Sequence, residues 1–424
     1  INADGAVTLT AGSIHAAGEI STSGDAITFQ SPTTLSGSLT LNSAASATTA
    51  GDIRFASTLE GAHDLSLTAG SGNVTFDGKV GGTTESTRLG DVVFESADNV
   101  TVNEDFRARS FSNWDAASEE YDPWAGTFLL KADMETLGVF DVSSHTVDLR
   151  GDVRTLNGAK LDSDWTSYGD VYIQAGVGGI SLQPGKSITT TAAAAGTDSG
   201  LIILYAEGDM LLEGDLISRG SASADSGEVR IQLGPSDKSL SATVANIDAR
   251  GGAAAAGSNQ SGGSSNGIWF EFVDEPLGGF TLAGSTIQAD GGAGDGSGLD
   301  GAAGSVRFDG PVWLTKNDVS VSALGASTAD IRFYGDVNGA QNLHLAADDV
   351  IDFGNGAAVG TDTAPNSALK SLTFIADEIY INDVSTIGSQ DYSAVDIRTH
   401  GSLTSQGGVI DIDGDVSVRA PLVI

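Results

Sequence analysis

The chain is written in short alternating units. Between Val306 and Ile381 the order apolar, polar, apolar recurs as Val306-Arg-Phe308, Val312-Trp-Leu314, Val319-Ser-Val321, Ile331-Arg-Phe333, Leu343-His-Leu345, Ile351-Asp-Phe353, Leu372-Thr-Phe374 and Ile379-Tyr-Ile381. A few Gly, Asp, Asn, Ser or Ala residues separate each unit from the next. Strict alternation predicts a strand with one buried face. Such a strand buries only two large side chains, so the units are unstable singly and must stack.

The pattern is also duplicated. Asp330-Ile-Arg-Phe333 repeats Asp52-Ile-Arg-Phe55, Val306-Arg-Phe308 parallels Ile27-Thr-Phe29, and Gly339-Ala-Gln-Asn-Leu-His-Leu345 parallels Gly61-Ala-His-Asp-Leu-Ser-Leu67. A repeated block of short strands is the mark of a solenoid. Three short faces per turn predict an all-β, three-sided parallel β-helix of roughly 16 coils, each strand pairing with its counterpart one coil away. We read 1–424 as one solenoid with four stretches: N-terminal coils at 1–107, an insertion with irregular coils at 108–168, coils with Gly-rich corner loops at 169–305, and C-terminal coils at 306–424.

From Val171 to Val306 three strand series can be followed. The first runs through Ile202-Leu204, Val229-Ile231 and Ile268-Phe270; the second through Met210-Leu212, Leu240-Ala242 and Phe280-Leu282. Leu216, Ile247 and Ile287 anchor the third. The loops after this third strand, including 250–267 and 290–304, are rich in Gly, Ala and Ser and are expected to project from one corner. Insertions gathered on one face of a repeat are where binding tends to sit.

Composition changes the picture in two respects. The 57 Gly residues are about twice the usual share, as a turn at every corner requires. Lys and Arg total 20 against 56 Asp and Glu, a formal charge of -36. That surface repels nucleic acid and anionic lipid and keeps particles apart in solution. We read the acidity as a soluble surface suited to a salty exterior, with weak Ca²⁺ binding in acidic loops as the alternative. The absence of Cys excludes disulfides and thiolate metal sites. No apolar run in the sequence is long enough for a transmembrane helix.

Candidate chemistry is sparse. Phe111, Trp114, Tyr121, Trp124 and Phe128 crowd together with acidic residues, and Trp165 follows. These rings either plug an interrupted coil, or Trp114, Tyr121, Trp124 and Trp165 form a platform on which sugar rings or a partner stack. Gly291-Gly-Ala-Gly-Asp-Gly-Ser-Gly-Leu-Asp-Gly301 carries one partial copy of a Gly-Gly-x-Gly-x-Asp calcium nonapeptide. Because such sites draw carboxylates from successive repeats, we expect a flexible corner loop here. Asp348-Asp349 is the carboxylate pair to inspect for glycoside hydrolysis. No nucleophile-elbow, phosphate-loop or zincin motif is present, and we expect neither an enzyme nor a cofactor.

At its two ends the sequence stays within the pattern, with Val7-Thr-Leu9 near one and Val416-Ser-Val418 and Ile424 near the other. We expect Val7, Leu9, Val416, Val418 and Ile424 to be where the coil continues. It would pass either into a copy of itself stacked head to tail or into a longer parent chain.

Taken together, the alternating units at 27–105 and 306–424, the Gly-Asn-Gly-Ala-Ala-Val-Gly-Thr segment ahead of Leu372 and the Gly-Gly loops after Ile247 and Ile287 give a chain that resembles the filamentous-haemagglutinin family of secreted bacterial exoproteins. The Asn-Pro-Asn-Gly motif of that family's secretion domain is absent, so the resemblance is to the shaft. It implies a right-handed parallel β-helix, exported across an outer membrane and displayed on or shed from a cell. The implied function is an extracellular rod or fibre, adhesive through its loops to glycans or a neighbouring cell surface. The alternative is a carbohydrate-binding or carbohydrate-cleaving β-helix.

Overall fold

The structure, a computed structural model, describes all residues except 46–49, 116–119, 122–123, 158–168, 235–238, 274–277, 362–366 and 419–424. The chain divides into two compact units, Ile1–Thr190 and Thr191–Ile424. Each is a stack of parallel strands in which a residue meets its counterpart one coil away.

In the first unit Ile27, Ile53, Val74, Val100, Phe128 and Val147 are successive partners. Two residues further on, Phe29, Phe55 and Phe76 follow one another, with ring centroids 4.7 and 5.4 Å apart. The second unit repeats the device: Ile202, Val229, Ile268, Val306, Ile331, Ile351 and Ile379 form one ladder column. Phe270, Phe308, Phe333 and Phe353 stack beside it at 4.4, 4.7 and 5.0 Å. The strand spacing of about 4.8 Å matches the separation at which offset rings attract, so each coil delivers its phenyl in register with the next. The duplicated sequence blocks are thus the same inward stack built twice.

The eight alternating units from Val306 to Ile381 all lie in strands and turn both apolar residues inward. One register differs from expectation. Met210 pairs with Ala242 and Leu212 with Val244, so the strand is Ser241–Val244 and begins after Leu240. A shift of two residues keeps the same side chains inward, and alternation alone cannot distinguish the two registers.

A small hydroxyl closes the inner corner in several coils. Two residues past an apolar anchor, Thr136 donates to the Gly138 carbonyl at 2.7 Å and Ser218 to Gly200 at 2.8 Å. Both side chains are fully buried. Each satisfies a carbonyl that the turning chain withdraws from the ladder.

The aromatic-rich stretch is present and runs largely in the coils. Phe106–Ser112, Trp124–Leu130, Met134–Thr136 and Phe140–Leu149 all join parallel ladders. Among the described residues it leaves the parallel ladder in a short antiparallel pair, Trp114–Asp115 with Glu120–Tyr121.

Candidate functional surface

The strongest candidate surface is the corner of the second unit from which the long loops leave. The loop legs are extended and hydrogen-bonded to one another, although they form no regular strands. Gly251 donates to the Asp290 carbonyl and Ala254 to Ala293, joining the outgoing legs of neighbouring loops at 2.9 and 2.8 Å. Gly262 donates to Leu299 and Ser265 to Ala302, joining the return legs at 2.9 and 2.8 Å. A third set of bonds binds the two layers together: Gly301 to Gly292, Gly292 to Gly263, and Gly263 to Gly252, each at 2.8 Å.

Backbones this close leave no room for side chains. A Cβ added to Gly263 would fall within the radius of the Ala224 carbonyl oxygen, and one on Gly252 would strike that of Ser221. Glycine is therefore required here for close approach. The sequence signal was the doublet Gly-Gly at 251–252, 262–263 and 291–292, on three of the four legs, with the single Gly301 on the fourth.

At Gly291–Gly301, where a flexible corner loop is expected, the structure places hydrogen bonds that tie the loop to its neighbour and to itself. Asp300 accepts the Gly294 N–H at 2.8 Å and Asp295 accepts that of Asn259 at 3.2 Å, so both carboxylates hold the tip of the loop in place. Among the described residues no group of three His, Asp or Glu side chains converges on a common point.

Of the four residues expected to form an aromatic platform, Trp124 is placed in the core. Trp124 is 1% exposed, with its ring 5.1 Å from Phe94 and 5.7 Å from Phe128. It belongs to the core, because it opens a strand whose inward positions it shares with Phe128 and Leu130. Trp114 is the backbone register partner of Tyr121 in the antiparallel pair, and Trp165 lies outside the described residues. Of the residues expected to continue the coil, Val7 pairs with Ile27, Leu9 with Phe29, Val416 with Ile397 and Val418 with Thr399. Ile424 lies outside the described residues.

Asp348 and Asp349 sit in an acidic neighbourhood. Asp348 accepts a hydrogen bond from the Gly325 N–H. Partial burial, followed by the charges of Asp290, Asp377 and Asp300, holds its carboxyl above the usual carboxylate range. Partial burial and then Asp330 and Glu378 act in the same direction on Asp349. A carboxyl whose folded pKa is raised favours folding when protonated and opposes it when ionised. Asp348→Asn keeps an acceptor for Gly325 and is expected to raise the melting temperature modestly at pH 7. The gap from the parent should close towards pH 3, where both states are protonated; melting curves across that range provide the check.

A cleft of about 530 Å³ in the second unit is lined by hydroxyls such as Ser385, Ser402 and Thr404. Asp383 is fixed beside it, accepting from the Ser402 N–H at 2.7 Å and the Ser402 hydroxyl at 2.9 Å. These two bonds hold its carboxyl below the usual range.

Fold and corner surface together define a parallel β-solenoid with an ordered, glycine-dependent loop face. No family model, curated protein or solved structure matches the chain.

Proposed function

We propose that the chain is a structural element of an extracellular fibre on a bacterial surface, in the manner of filamentous-haemagglutinin shafts, and that its corner loops make the adhesive contact. The observation that carries this reading is the ordered loop bundle at 250–267 and 290–304. Loops that only closed the coil could be short, yet here two backbone layers are built out from the corner and hydrogen-bonded to each other. A rigid, repetitive face costs little ordering entropy when a partner lies on it. Continuous backbone ladders also suit a protein under load, since neighbouring coils are joined by many parallel hydrogen bonds.

The test is display of the chain on a non-adherent bacterium, with and without replacement of 251–266 and 291–303 by tight turns. Cells carrying the parent chain should adhere to neighbouring cells or glycan-coated surfaces, and the loop replacement should lower adhesion by about an order of magnitude with the protein still displayed. Equal adhesion by the two would overturn the reading.

A further inference from the structure

The outer face of the first strand series in the second unit carries an ordered pattern of rings and guanidinium groups. Ladder register places Arg230, Trp269, Arg307, Arg332, Asp352 and Tyr380 in one outward column, one per coil. Two residues along the strand and on the same face, Tyr205 shares a column with Gln232 and Glu271. Tyr334, one residue past Phe333, occupies the corresponding position in its own coil.

The aromatic residues fall on alternate coils. Tyr205 belongs to the coil of Ile202, Trp269 to that of Ile268, Tyr334 to that of Ile331 and Tyr380 to that of Ile379. The coils of Val229, Val306 and Ile351 lie between them. At about 4.8 Å per coil, a ring recurs every ~10 Å along the stack.

All four rings are half-buried, and guanidinium groups fix two neighbouring positions. The Arg307 guanidinium lies 5.0 Å from the centre of the Tyr334 ring and 5.9 Å from that of Trp269. Arg398 lies 4.9 Å from Tyr380 and donates a hydrogen bond to its hydroxyl. The Nε1 of Trp269 is buried, so the part of the indole that meets solvent is carbon.

Each arginine is matched to an acid two residues away on its own strand: Arg230 to Glu228 at 2.5 Å, Arg307 to Asp309 at 2.5 Å, Arg332 to Asp330 at 2.5 Å and Arg398 to Asp396 at 2.6 Å. The face therefore carries four ion pairs between the rings together with the further carboxylates of Glu271, Asp352 and Glu378, on a chain whose formal charge of -36 disfavours polyanions.

We infer that this face binds an extended, neutral, β-linked polysaccharide lying along the stack. In such a chain alternate sugars present the same face, so one disaccharide spans one ring-to-ring step. Apolar sugar faces stack on the rings, and the Arg–carboxylate pairs donate to and accept from the hydroxyls between them. Because Trp269, Tyr334 and Tyr380 are already held by cation–π contacts, little side-chain freedom is lost there on binding. This surface is separate from the corner loops and stands whether or not they are adhesive.

The experiment is calorimetric titration of the 424-residue chain with cellohexaose and chitohexaose, with the corresponding trisaccharides and polygalacturonate as controls. At least one hexaose should bind, and about tenfold more tightly than its trisaccharide, which cannot span two ring intervals. Trp269→Ala and Tyr334→Ala should each weaken binding about tenfold, while Trp269→Phe retains most of it. The Phe variant separates loss of the ring from loss of fold, which far-UV circular dichroism also reports. Replacement of the corner loops should leave these affinities unchanged. Absence of binding by both hexaoses, equal affinity for the trisaccharides, tighter binding of polygalacturonate, or binding indifferent to Trp269 and Tyr334 would each overturn the inference.

Discussion

Phe333→Ala is expected to lower the stability of the second unit by about 3–5 kcal/mol, because it empties a ring-sized space the surrounding coils cannot fill. Phe333 is 1% exposed and lies between Phe308 at 4.7 Å and Phe353 at 5.0 Å, both rings nearly parallel to it. Its neighbour Arg332 points outward, with a side chain 43% exposed and paired to Asp330. Arg332→Ala removes a surface ion pair and is expected to cost under about 1 kcal/mol. Chemical denaturation of both variants checks the contrast. Equal losses would mean that the alternation does not divide inside from outside.

Gly263→Val is expected to be comparably harmful, at about 3 kcal/mol or more, although the residue sits in a loop. Gly263 bonds outward to the Gly252 carbonyl and receives the Gly292 N–H, both at 2.8 Å. A side chain here must displace the Ala224 carbonyl and with it both layers of the bundle. Ala256→Val, at an exposed position near the loop tip, provides the comparison and should change stability by less than about 0.5 kcal/mol. Hydrogen exchange adds a second reading: the Gly252, Gly263 and Gly292 amides should be protected in the parent chain and lose protection together in the variant. A freely moving loop would show little protection and would tolerate both substitutions equally.

The sequence alone determined which residues face inward. Ile331-Arg-Phe333 and Ile53-Arg-Phe55 announce a buried, exposed, buried strand because side chains on an extended backbone alternate faces, and that alternation is local. Their duplication then pointed to a stacked repeat, since a strand with only two apolar side chains needs neighbours to cover them. Other properties arise between residues a full coil apart, where the sequence lists positions but not partners. Leu240 and Ala242 were equally good openings for one strand, and the ladder opposite Met210 decided between them. Trp124 has the composition of a surface platform, yet the strand it begins turns it against Phe94 and Phe128. Loops rich in Gly and Ser read as flexible because each, considered by itself, has nothing to hold it; once stacked, their amides meet carbonyls of the loops above and below and the same glycines become packing residues. The rings on alternate coils were likewise present as Tyr205, Trp269, Tyr334 and Tyr380 in the chain. The intervals between them along the sequence are irregular because the loops differ in length, and only coiling, which spaces every strand by the same hydrogen-bond distance, makes them regular in space.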